Sequence, residues 1–505
     1  MKSLGSTLLA GVAALGLAGL ASAQSSEGKG TPAPETRPAA VERLPQVASI
    51  RASGTFGGQR INYRVTMGET ILKSPEGEPK AAVVTTAYVK EPRDPKRPVT
   101  FLFNGGPGAG SLWLQMGSFG PKRVAIPSDA RDDGAPPYPL VDNPDSLLDV
   151  TDLVFIDPPG TGLSHLIGKT EGKEYYGVTA DAKAVAEVIG RWLNDNGRWS
   201  SPKYIGGESY GTSRSAAVVD QVSSAYNDVA LNGVILISTI LDFAAGADRP
   251  GNELGYITNI PSMAAAAHFH GKASAPSVDQ FVEEARAFAI GPYATALLKG
   301  QKLGADERAV IRRQLARFTG LSETYLDRAD LRVSPDRFYK ELLRDRGLTI
   351  GRLDARYTGR DYDNAGETVD NDPSFYGIDG SYNAAMNAYA REVVGFKSDR
   401  RYQAIAALGQ WDWKIDGGRD ANAYLNLTPY LGQALRENSG LKIFVGQGYY
   451  DFATPFFAAE YALSRTGIPQ DRVQFHYYQA GHMMYVRDED RAKLSRDVRA
   501  FIRSR

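Results

Sequence analysis

The chain has 505 residues, of which 42% are hydrophobic and 23% are charged, so it is long enough to bury a large core. Lysine and arginine together number 58, as do aspartate and glutamate, and this balance argues against nucleic acid or an anionic membrane as the main partner. The chain contains no cysteine, which excludes disulfide bridges and zinc sites built on thiolates.

The N-terminal segment has the parts of a secretory signal peptide. Lys2 supplies a positive charge, an apolar run extends from Leu8 to Leu20, and Ala21–Ala23 has the small-residue pattern of a cleavage site. A membrane anchor is the alternative, but the run is short for a membrane span. We therefore expect a signal peptide at residues 1–23 that is cleaved after Ala23, a flexible leader at residues 24–46, and a periplasmic or secreted protein without an integral membrane anchor.

From about Val47 the sequence becomes rich in β-strand patterns. Residues 59–65 alternate in character, residues 82–89 form a second strand-like run, and Gly57–Gly58 indicates a hairpin turn between strands. We expect these strands to form the antiparallel edge of a larger sheet. Apolar runs at residues 150–157 and 233–240 are typical of buried central strands.

The pentapeptide Gly207-Glu208-Ser209-Tyr210-Gly211 follows a strand-like run at residues 203–206. This G-x-S-x-G pattern is typical of a nucleophile elbow, in which glycines permit a sharp turn that exposes the serine Oγ above the sheet. It is only moderately specific by itself, because the chain has 53 glycines. It predicts Ser209 as the nucleophile of an α/β-hydrolase fold, with a central, mostly parallel sheet flanked by helices.

A serine nucleophile needs a base and an acid, which in this fold follow later strands in the order Ser, acid, His. The strand-like run at residues 441–445 leads to Asp451, and the run at residues 473–478 leads to His482. We predict that Asp451 is the acid and His482 the base. The alternatives are a turn or helix-capping aspartate and a surface-loop histidine, while His476 lies within a strand and is expected to be a packed or edge side chain.

Acyl transfer also needs backbone N–H groups that stabilise the developing oxyanion. One donor is expected to be the amide of Tyr210, directly after the nucleophile. The other is expected in the glycine-rich loop Asn104–Gly108, which follows a strand-like run at residues 99–103. Glycine suits this loop because the backbone must approach the substrate closely. An ordinary strand-to-loop turn is the alternative.

Residues 250–435 are predicted to form a mainly helical insertion between a first core part, residues 47–249, and a second core part, residues 436–505. Residues 278–288 place their apolar side chains on one helical face, and Ser334-Pro335 begins a helical segment that ends near Gly347. Four aromatic residues of the insertion could line an apolar pocket, although core packing is the expected role: Tyr382, Tyr389, Trp411 and Trp413.

Taken together, these motifs resemble the serine carboxypeptidase family. The resemblance covers most of the chain from about residue 95, in the family's order, and is specific because several separated blocks contribute. The blocks are Phe103–Gly108, Asn143–Ser146, Phe155–Ser164, Gly207–Gly211, and Gly481–Met483 with Asp451 upstream.

The resemblance implies a serine carboxypeptidase that needs no cofactor and acts on peptides with a free C-terminus, and the signal-like N-terminal segment adds that it is exported. It implies that Asn104, Gly105 and Glu208 bind the C-terminal carboxylate, and that the oxyanion donors are the amides of Gly106 and Tyr210. It also implies that the helical insertion is a cap over the active site, and it leaves a homodimer open. The remaining alternatives are a serine esterase or acyltransferase on the same fold, and a catalytically silent binding protein.

The chain departs from the family pattern near the glycine loop. Family members commonly pair the glutamate with a second acidic residue, but the matching position here is Ser118, so we expect Glu208 to titrate more like an ordinary glutamate. The family's usual cysteine after Pro-Gly is Ala109.

A run of acidic residues from Asp361 to Asp372 resembles a calcium loop in spacing. The pattern fails at Ala365, where an oxygen ligand is expected, and the closing ligand would be aspartate rather than glutamate. We expect a solvated acidic loop, and we expect no bound metal in the protein.

Overall fold

The computed structural model describes residues 44–223, 229–246, 249, 251–415, 425–465 and 467–504. The expected signal peptide and nearly all of the expected leader lie outside these residues, so both stay predictions. Within the described part of the chain, no helix combines the length and hydrophobicity needed to cross a membrane.

The first four β-strands follow one another without an intervening helix. Their bounds are β1 Val47–Phe56, β2 Gln59–Lys73, β3 Pro79–Glu91, β4 Val99–Phe103, β5 Lys122–Val124, β6 Leu140–Asp142, β7 Asp152–Ile156, β8 His165–Leu166, β9 Lys203–Ser209, β10 Gly233–Thr239, β11 Thr349–Ile350, β12 Thr358–Gly359, β13 Lys442–Gly448 and β14 Val473–Tyr478.

The helices vary from a single turn to about five turns. Their bounds are α1 Val178–Asn196, α2 Tyr210–Ser223, α3 Glu253–Phe269, α4 Val278–Phe288, α5 Ala294–Lys299, α6 Ala305–Thr319, α7 Glu323–Arg328, α8 Pro335–Glu341, α9 Pro373–Tyr376, α10 Asp379–Ala388, α11 Thr428–Glu437, α12 Phe456–Leu463 and α13 Asp488–Arg503. Short 3₁₀ or π segments occur at Leu114–Phe119, Leu147–Asp149, Gly172–Glu174, Ala289–Tyr293, Gly300–Lys302, Arg344–Arg346, Tyr389–Val393, Gln470–Arg472 and Met484–Val486.

One large sheet dominates the fold, with the strand order β1-β2-β3-β7-β4-β9-β10-β13-β14 and β8 paired to β3. Strands β1, β2 and β3 pair antiparallel, and β3 is antiparallel to β7. From β7 to β14 every neighbouring pair is parallel. The antiparallel edge and the α/β-hydrolase fold predicted from the sequence are therefore confirmed.

The hairpin between β1 and β2 shows why the sequence predicts its position. Gly57 and Gly58 have φ angles of +53° and +80°, a conformation that glycine adopts more readily than other residues. Two central residues with positive φ match the turn type that suits the twist of paired strands. The predicted turn is confirmed.

Alternate residues of the central strands point to opposite faces of the sheet, and helices cover both faces. Phe101 belongs to a cluster with side chains of α1, α2 and α11. Leu102 belongs to a second cluster with side chains of α13. Each face of the sheet is therefore buried against helices, which gives the sheet a core on both sides.

The helical insertion between β10 and β13 has a hydrophobic cluster of its own. In this cluster the ring of Phe288 stacks on Phe318 with a centroid distance of 5.1 Å. Helix α4 has the predicted bounds, and the Ser277 side chain accepts a hydrogen bond from the Gln280 amide at its start. Helix α8 begins after Ser334 as predicted. Helix α11, at the end of the predicted insertion, packs in the cluster that covers the sheet. The domain boundaries stay predictions.

Candidate active site

The predicted site residues lie where parallel strands end. Strand β4 leads into Asn104, β9 ends at Ser209, β13 is followed by Asp451, and β14 is followed by His482. The carboxyl ends of parallel strands meet at one edge of a sheet, which is where ligands bind in open α/β folds. A cavity of about 530 Å³ opens there, and its lining includes Asn104, Gly105, Gly106, Glu208, Ser209, Tyr210, Arg352, Leu353, Asp372, Trp413, Thr454, His482 and Met483.

The turn at Ser209 has the geometry of a nucleophile elbow. Ser209 has a φ of +60°, a strained conformation for a residue other than glycine. A Cβ atom on Gly207 would lie 2.0 Å from the Gly211 carbonyl oxygen, and one on Gly211 would lie 2.8 Å from the Phe103 carbonyl oxygen. Both glycines are therefore required by backbone packing between β9, α2 and the end of β4.

The acid–base pair is formed and buried. His482 Nδ1 lies 2.8 Å from Asp451 Oδ2, and the two residues are 5% and 0% exposed. Burial lowers the pKa of His482, but the charge and hydrogen bond of Asp451 outweigh it and raise the pKa above the usual value. Asp451 Oδ1 also accepts hydrogen bonds from the amides of Ala453 and Thr454, so this aspartate stabilises a turn as well as contacting the histidine.

Ser209 and His482 line the same cavity, but among the described residues no hydrogen bond joins the serine Oγ to the imidazole. In hydrolases without substrate this bond is often long and tightens only when substrate is bound. The structure thus places Ser209 and His482 on one cavity, with Asp451 buried and bonded to His482, and their catalytic roles stay predictions.

The glycine-rich loop packs directly on the elbow. A Cβ atom on Gly105 would lie 2.4 Å from the Tyr210 amide nitrogen, and Gly106 has a φ of +96°. Tyr210 is the first residue of α2, where backbone N–H groups lack partners within the helix. Gly105, Gly106 and Tyr210 all line the cavity, so the loop and the helix terminus meet where the oxyanion site is predicted.

Glu208 and Asn104 form a buried polar pair in the cavity. Asn104 Nδ2 donates to Glu208 Oε1 at 2.8 Å, while Asn104 Oδ1 accepts from the Leu114 amide at 3.1 Å. The other carboxyl oxygen of Glu208 is buried, and the Tyr485 hydroxyl acts on this carboxyl group as a second hydrogen-bond partner. Glu208 is only 3% exposed, so its carboxyl group is almost entirely surrounded by protein.

The expectation that Glu208 titrates like an ordinary glutamate is wrong. Burial raises its pKa to about 7, although His482 and Asn104 act in the opposite direction. Ser118 supplies no second carboxylate to raise the pKa of Glu208, and the expectation was based on that position alone. Desolvation disfavours the charged form without any second acid, because the carboxylate loses its hydration.

The loop that carries Gly481 and His482, called the histidine loop below, is held by a segment of the insertion, residues 352–356. The Leu353 carbonyl accepts a hydrogen bond of 2.6 Å from the His482 amide. Asp354 Oδ2 accepts one of 3.0 Å from the Gly481 amide, and Asp354 is paired with Arg356 at 2.6 Å. The His482 carbonyl accepts a hydrogen bond of 2.6 Å from Ser238 Oγ. The backbone at His482 is therefore held from both the insertion and the sheet.

Part of the chain matches a known protein family. Residues 87–268 match the serine carboxypeptidase family. The resemblance seen in the sequence motifs is thereby confirmed for the segment that contains the glycine loop and the nucleophile elbow. Asp451 and His482 lie beyond the matched segment.

The chain is also similar in sequence to several serine carboxypeptidase-like proteins of a plant. Serine carboxypeptidase-like 13 of Arabidopsis thaliana is 27% identical over 169 residues, which are 33% of this chain and 38% of that protein. Serine carboxypeptidase-like 7 of the same plant is 30% identical over 150 residues, which are 29% of this chain and 33% of that protein. The chain thus spans less than two fifths of the length of these relatives. A solved prohormone-processing carboxypeptidase from Saccharomyces cerevisiae has a TM-score of 0.48 and 15% identity, with 86% of this chain and 90% of that chain covered.

Sequence reasoning missed several residues of the cavity. Arg352 and Leu353 come from the insertion, and Thr454 donates a hydrogen bond of 2.6 Å from Oγ1 to Asp451 Oδ2. No local pattern marks the first two, because they reach the site through long-range packing. Thr454 follows the predicted acid by three positions, so its spacing is the one signal that could have identified it.

The four aromatic residues of the insertion divide between two roles. Tyr382 and Tyr389 are buried in the core, which confirms the expectation for them. Trp413 is partly buried against the core and also lines the cavity, so it has both the expected packing role and the alternative pocket role. Its ring and that of Trp411 pack edge-on against Tyr210, with centroid distances of 6.0 Å and 5.4 Å.

The acidic loop is not simply solvated. Asp361 is 3% exposed and forms an ion pair of 2.5 Å with Lys340, so the expectation of a solvated loop is wrong at this residue. Asp372 Oδ1 accepts hydrogen bonds from the Arg352 and Ser374 amides. In the part of the chain that the structure describes, no cluster of three or more histidine, aspartate or glutamate residues is arranged to hold a metal ion.

Proposed function

We propose that this protein is a serine carboxypeptidase that releases C-terminal residues from peptides through an acyl-enzyme on Ser209. The observation that carries the proposal is one cavity lined by a strained serine, by His482 with Asp451 buried behind it, and by the buried Glu208–Asn104 pair. The family match of residues 87–268 supports a hydrolase.

In this proposal Ser209 Oγ attacks the last peptide carbonyl while His482 Nε2 takes the hydroxyl proton. Asp451 accepts the hydrogen bond from Nδ1 and stabilises the imidazolium that forms. The amides of Gly106 and Tyr210 stabilise the oxyanion, and His482 then gives its proton to the departing amine. Water hydrolyses the ester in a second cycle with the same base.

Recognition of the free C-terminus is assigned to Glu208, Asn104 and the Gly105 amide. A carboxyl group can donate a hydrogen bond to a carboxylate only while it is protonated, and an ionised one repels it. Because burial raises the pKa of Glu208 to about 7, this residue is protonated across the acid range. Glu208 lines the cavity together with Ser209, which places this donor near the substrate.

The test compares release of the last residue from N-blocked dipeptides that have either a free or an amidated C-terminus. Wild-type protein is expected to cleave the free acids preferentially, and Ser209→Ala is expected to be inactive. Equal or better cleavage of amides and esters would instead indicate an esterase or acyltransferase. Failure of Ser209 to react with a fluorophosphonate would indicate a catalytically silent binding protein.

We also propose that the protein is exported and that its substrates are peptides in the periplasm or outside the cell. The support is the signal-like pattern of residues 1–23. Mass spectrometry of the N-terminus of the mature protein tests this directly. An N-terminus at Gln24 is expected, and retention of Met1 in the mature protein would contradict export by cleavage.

A further inference from the structure

Arg352 places an unpaired positive charge on the wall of the cavity. Its side chain is exposed, and the residue lines the cavity together with Ser209 and His482. The ion pairs and hydrogen bonds of the described residues include no partner for its guanidinium group. An arginine without a partner at a substrate cavity has its donors free for a ligand.

The backbone that carries Arg352 is held on both sides. Its amide donates to Asp372 Oδ1 at 3.1 Å, and its carbonyl accepts from the Phe452 amide at 3.1 Å. The next residue, Leu353, binds the His482 amide through its carbonyl. The guanidinium group therefore extends from a fixed point directly beside the loop that holds the base.

The two carboxyl groups that line the cavity, those of Asp372 and Glu208, already have hydrogen-bond partners. Asp372 accepts hydrogen bonds from the amides of Arg352, Leu353 and Ser374, and its carboxylate is not within ion-pair distance of the guanidinium. Glu208 is paired with Asn104 and is assigned to the C-terminal carboxylate. This leaves Arg352 on the cavity wall with no carboxylate within ion-pair distance among the described residues.

We propose that Arg352 binds the side-chain carboxylate of the substrate, so that the enzyme prefers peptides with glutamate or aspartate next to the scissile bond. This proposal rests on the carboxypeptidase function proposed above. A planar guanidinium matches a carboxylate with two parallel hydrogen bonds, and such charged pairs are among the stronger polar contacts in proteins. Arginine makes this contact better than lysine, which carries a point charge.

The test uses N-blocked dipeptides that differ only by glutamate or glutamine, placed either at the last or at the penultimate position. At about pH 6 the glutamate side chain is ionised while Glu208 remains protonated. Wild-type kcat/KM is expected to favour glutamate over glutamine about tenfold or more at one of the two positions. Added salt is expected to weaken this preference, because ions screen the pair.

The variants are Arg352→Gln, Arg352→Lys and a matched control, Arg60→Gln. Arg352→Gln is expected to abolish the preference for glutamate, and Arg352→Lys to restore part of it. Arg60 lies on β2, outside the residues that line the cavity, and donates a hydrogen bond to Ser53, so its replacement removes one positive charge without touching the site. The selectivity of the control is expected to equal that of the wild type.

Other outcomes overturn the proposal and are distinguishable. If Arg352→Gln lowers kcat/KM equally for glutamate and glutamine peptides, Arg352 binds the C-terminal carboxylate instead of the side chain. If free acids are cleaved but glutamate is not preferred, the role of Arg352 fails while the carboxypeptidase function stands. If no peptide is cleaved in a Ser209-dependent way, both proposals fail together.

Discussion

The nucleophile region and the acid–base region of this site are built in different ways. The nucleophile region joins the glycine loop to the elbow through backbone contacts so close that a Cβ atom on Gly105 or Gly207 would collide with a neighbouring main chain. The acid–base region joins Asp451 and His482 through side chains, and the insertion holds the histidine loop from residues 127 positions away in the chain.

This difference explains why the family match covers only one of the two regions. Backbone contacts between glycines restrict the residue types at each position, so the nucleophile region keeps a recognisable sequence pattern. The acid–base region needs only that two loops be held in place, which many combinations of residues can achieve. The match accordingly ends at residue 268, before both Asp451 and His482.

The largest effect is expected from the acid–base pair itself. Asp451→Asn keeps the shape of the side chain but removes the charge that stabilises a protonated His482, so kcat should fall about 10³- to 10⁴-fold. A matched control is Asp497→Asn, since Asp497 lies 3.3 Å from His476 outside the cavity. Retention of more than about a tenth of the wild-type kcat in Asp451→Asn would show that this aspartate only stabilises its turn.

A smaller effect is expected when the nucleophile region is overpacked. In Gly105→Ala the added methyl group would lie 2.4 Å from the Tyr210 amide nitrogen, so the loop and elbow must separate. We expect kcat/KM to fall about 100-fold, which is the effect of one misplaced oxyanion donor, together with a lower unfolding temperature.

The control for this variant is Gly190→Ala in α1, where nothing lies within 4 Å of the added atom. Alanine in a helix interior should raise the free energy of unfolding by about 0.5–1 kcal/mol, with kcat/KM unchanged. If both glycine variants behaved alike in assays of activity and thermal unfolding, the account of backbone packing at Gly105 would be wrong.

The contact between the insertion and the histidine loop is expected to contribute less to activity. Asp354→Asn leaves Arg356 buried without its counter-charge and weakens the contact to the Gly481 amide. Chemical denaturation should show a loss of about 3 kcal/mol in the free energy of unfolding, and kcat should fall about tenfold well below the unfolding temperature.

Asp345→Asn provides a comparison at the surface, because Asp345 is 63% exposed in its pair with Lys272. We expect this variant to leave the free energy of unfolding nearly unchanged, because solvent screens an exposed ion pair. Normal kcat in Asp354→Asn would show that the insertion does not position the base.

The smallest effect is expected at Thr454, whose hydroxyl donates to Asp451 Oδ2 and lies 3.2 Å from His482 Nδ1. Thr454→Val removes this hydrogen bond without changing the shape, so kcat should fall about 3- to 10-fold. Thr454→Ser retains the hydroxyl and should recover most of the activity. Equal losses in both variants would assign the effect to packing rather than to the hydrogen bond.

Much of the nucleophile region could be predicted from the sequence, because its constraints are local. The positive φ at Ser209 and the close contacts of its flanking glycines produce a short pattern that can be read directly. The strand order also placed Asp451 and His482 correctly at the ends of later strands, since connections in this fold follow a fixed sequence.

The other features of the site depend on tertiary packing, which no local sequence pattern indicates. Arg352 reaches the cavity, and Asp354 reaches the Gly481 amide, only because the insertion folds back over the carboxyl ends of the strands. The raised pKa of Glu208 could not be predicted from Ser118, because it depends on how completely the fold excludes water from the carboxyl group.

The central claim is that Glu208 acts as a protonated acid that binds the C-terminal carboxylate, and the pH dependence of KM tests it most directly. The measurement is KM for a free-acid dipeptide from about pH 5 to about pH 9, in the wild type and in Glu208→Gln. Because the pKa of Glu208 is raised to about 7, KM of the wild type should rise as pH increases through that value, whereas KM of Glu208→Gln should stay nearly constant. The same rise in both proteins, or in neither, would contradict this role for Glu208.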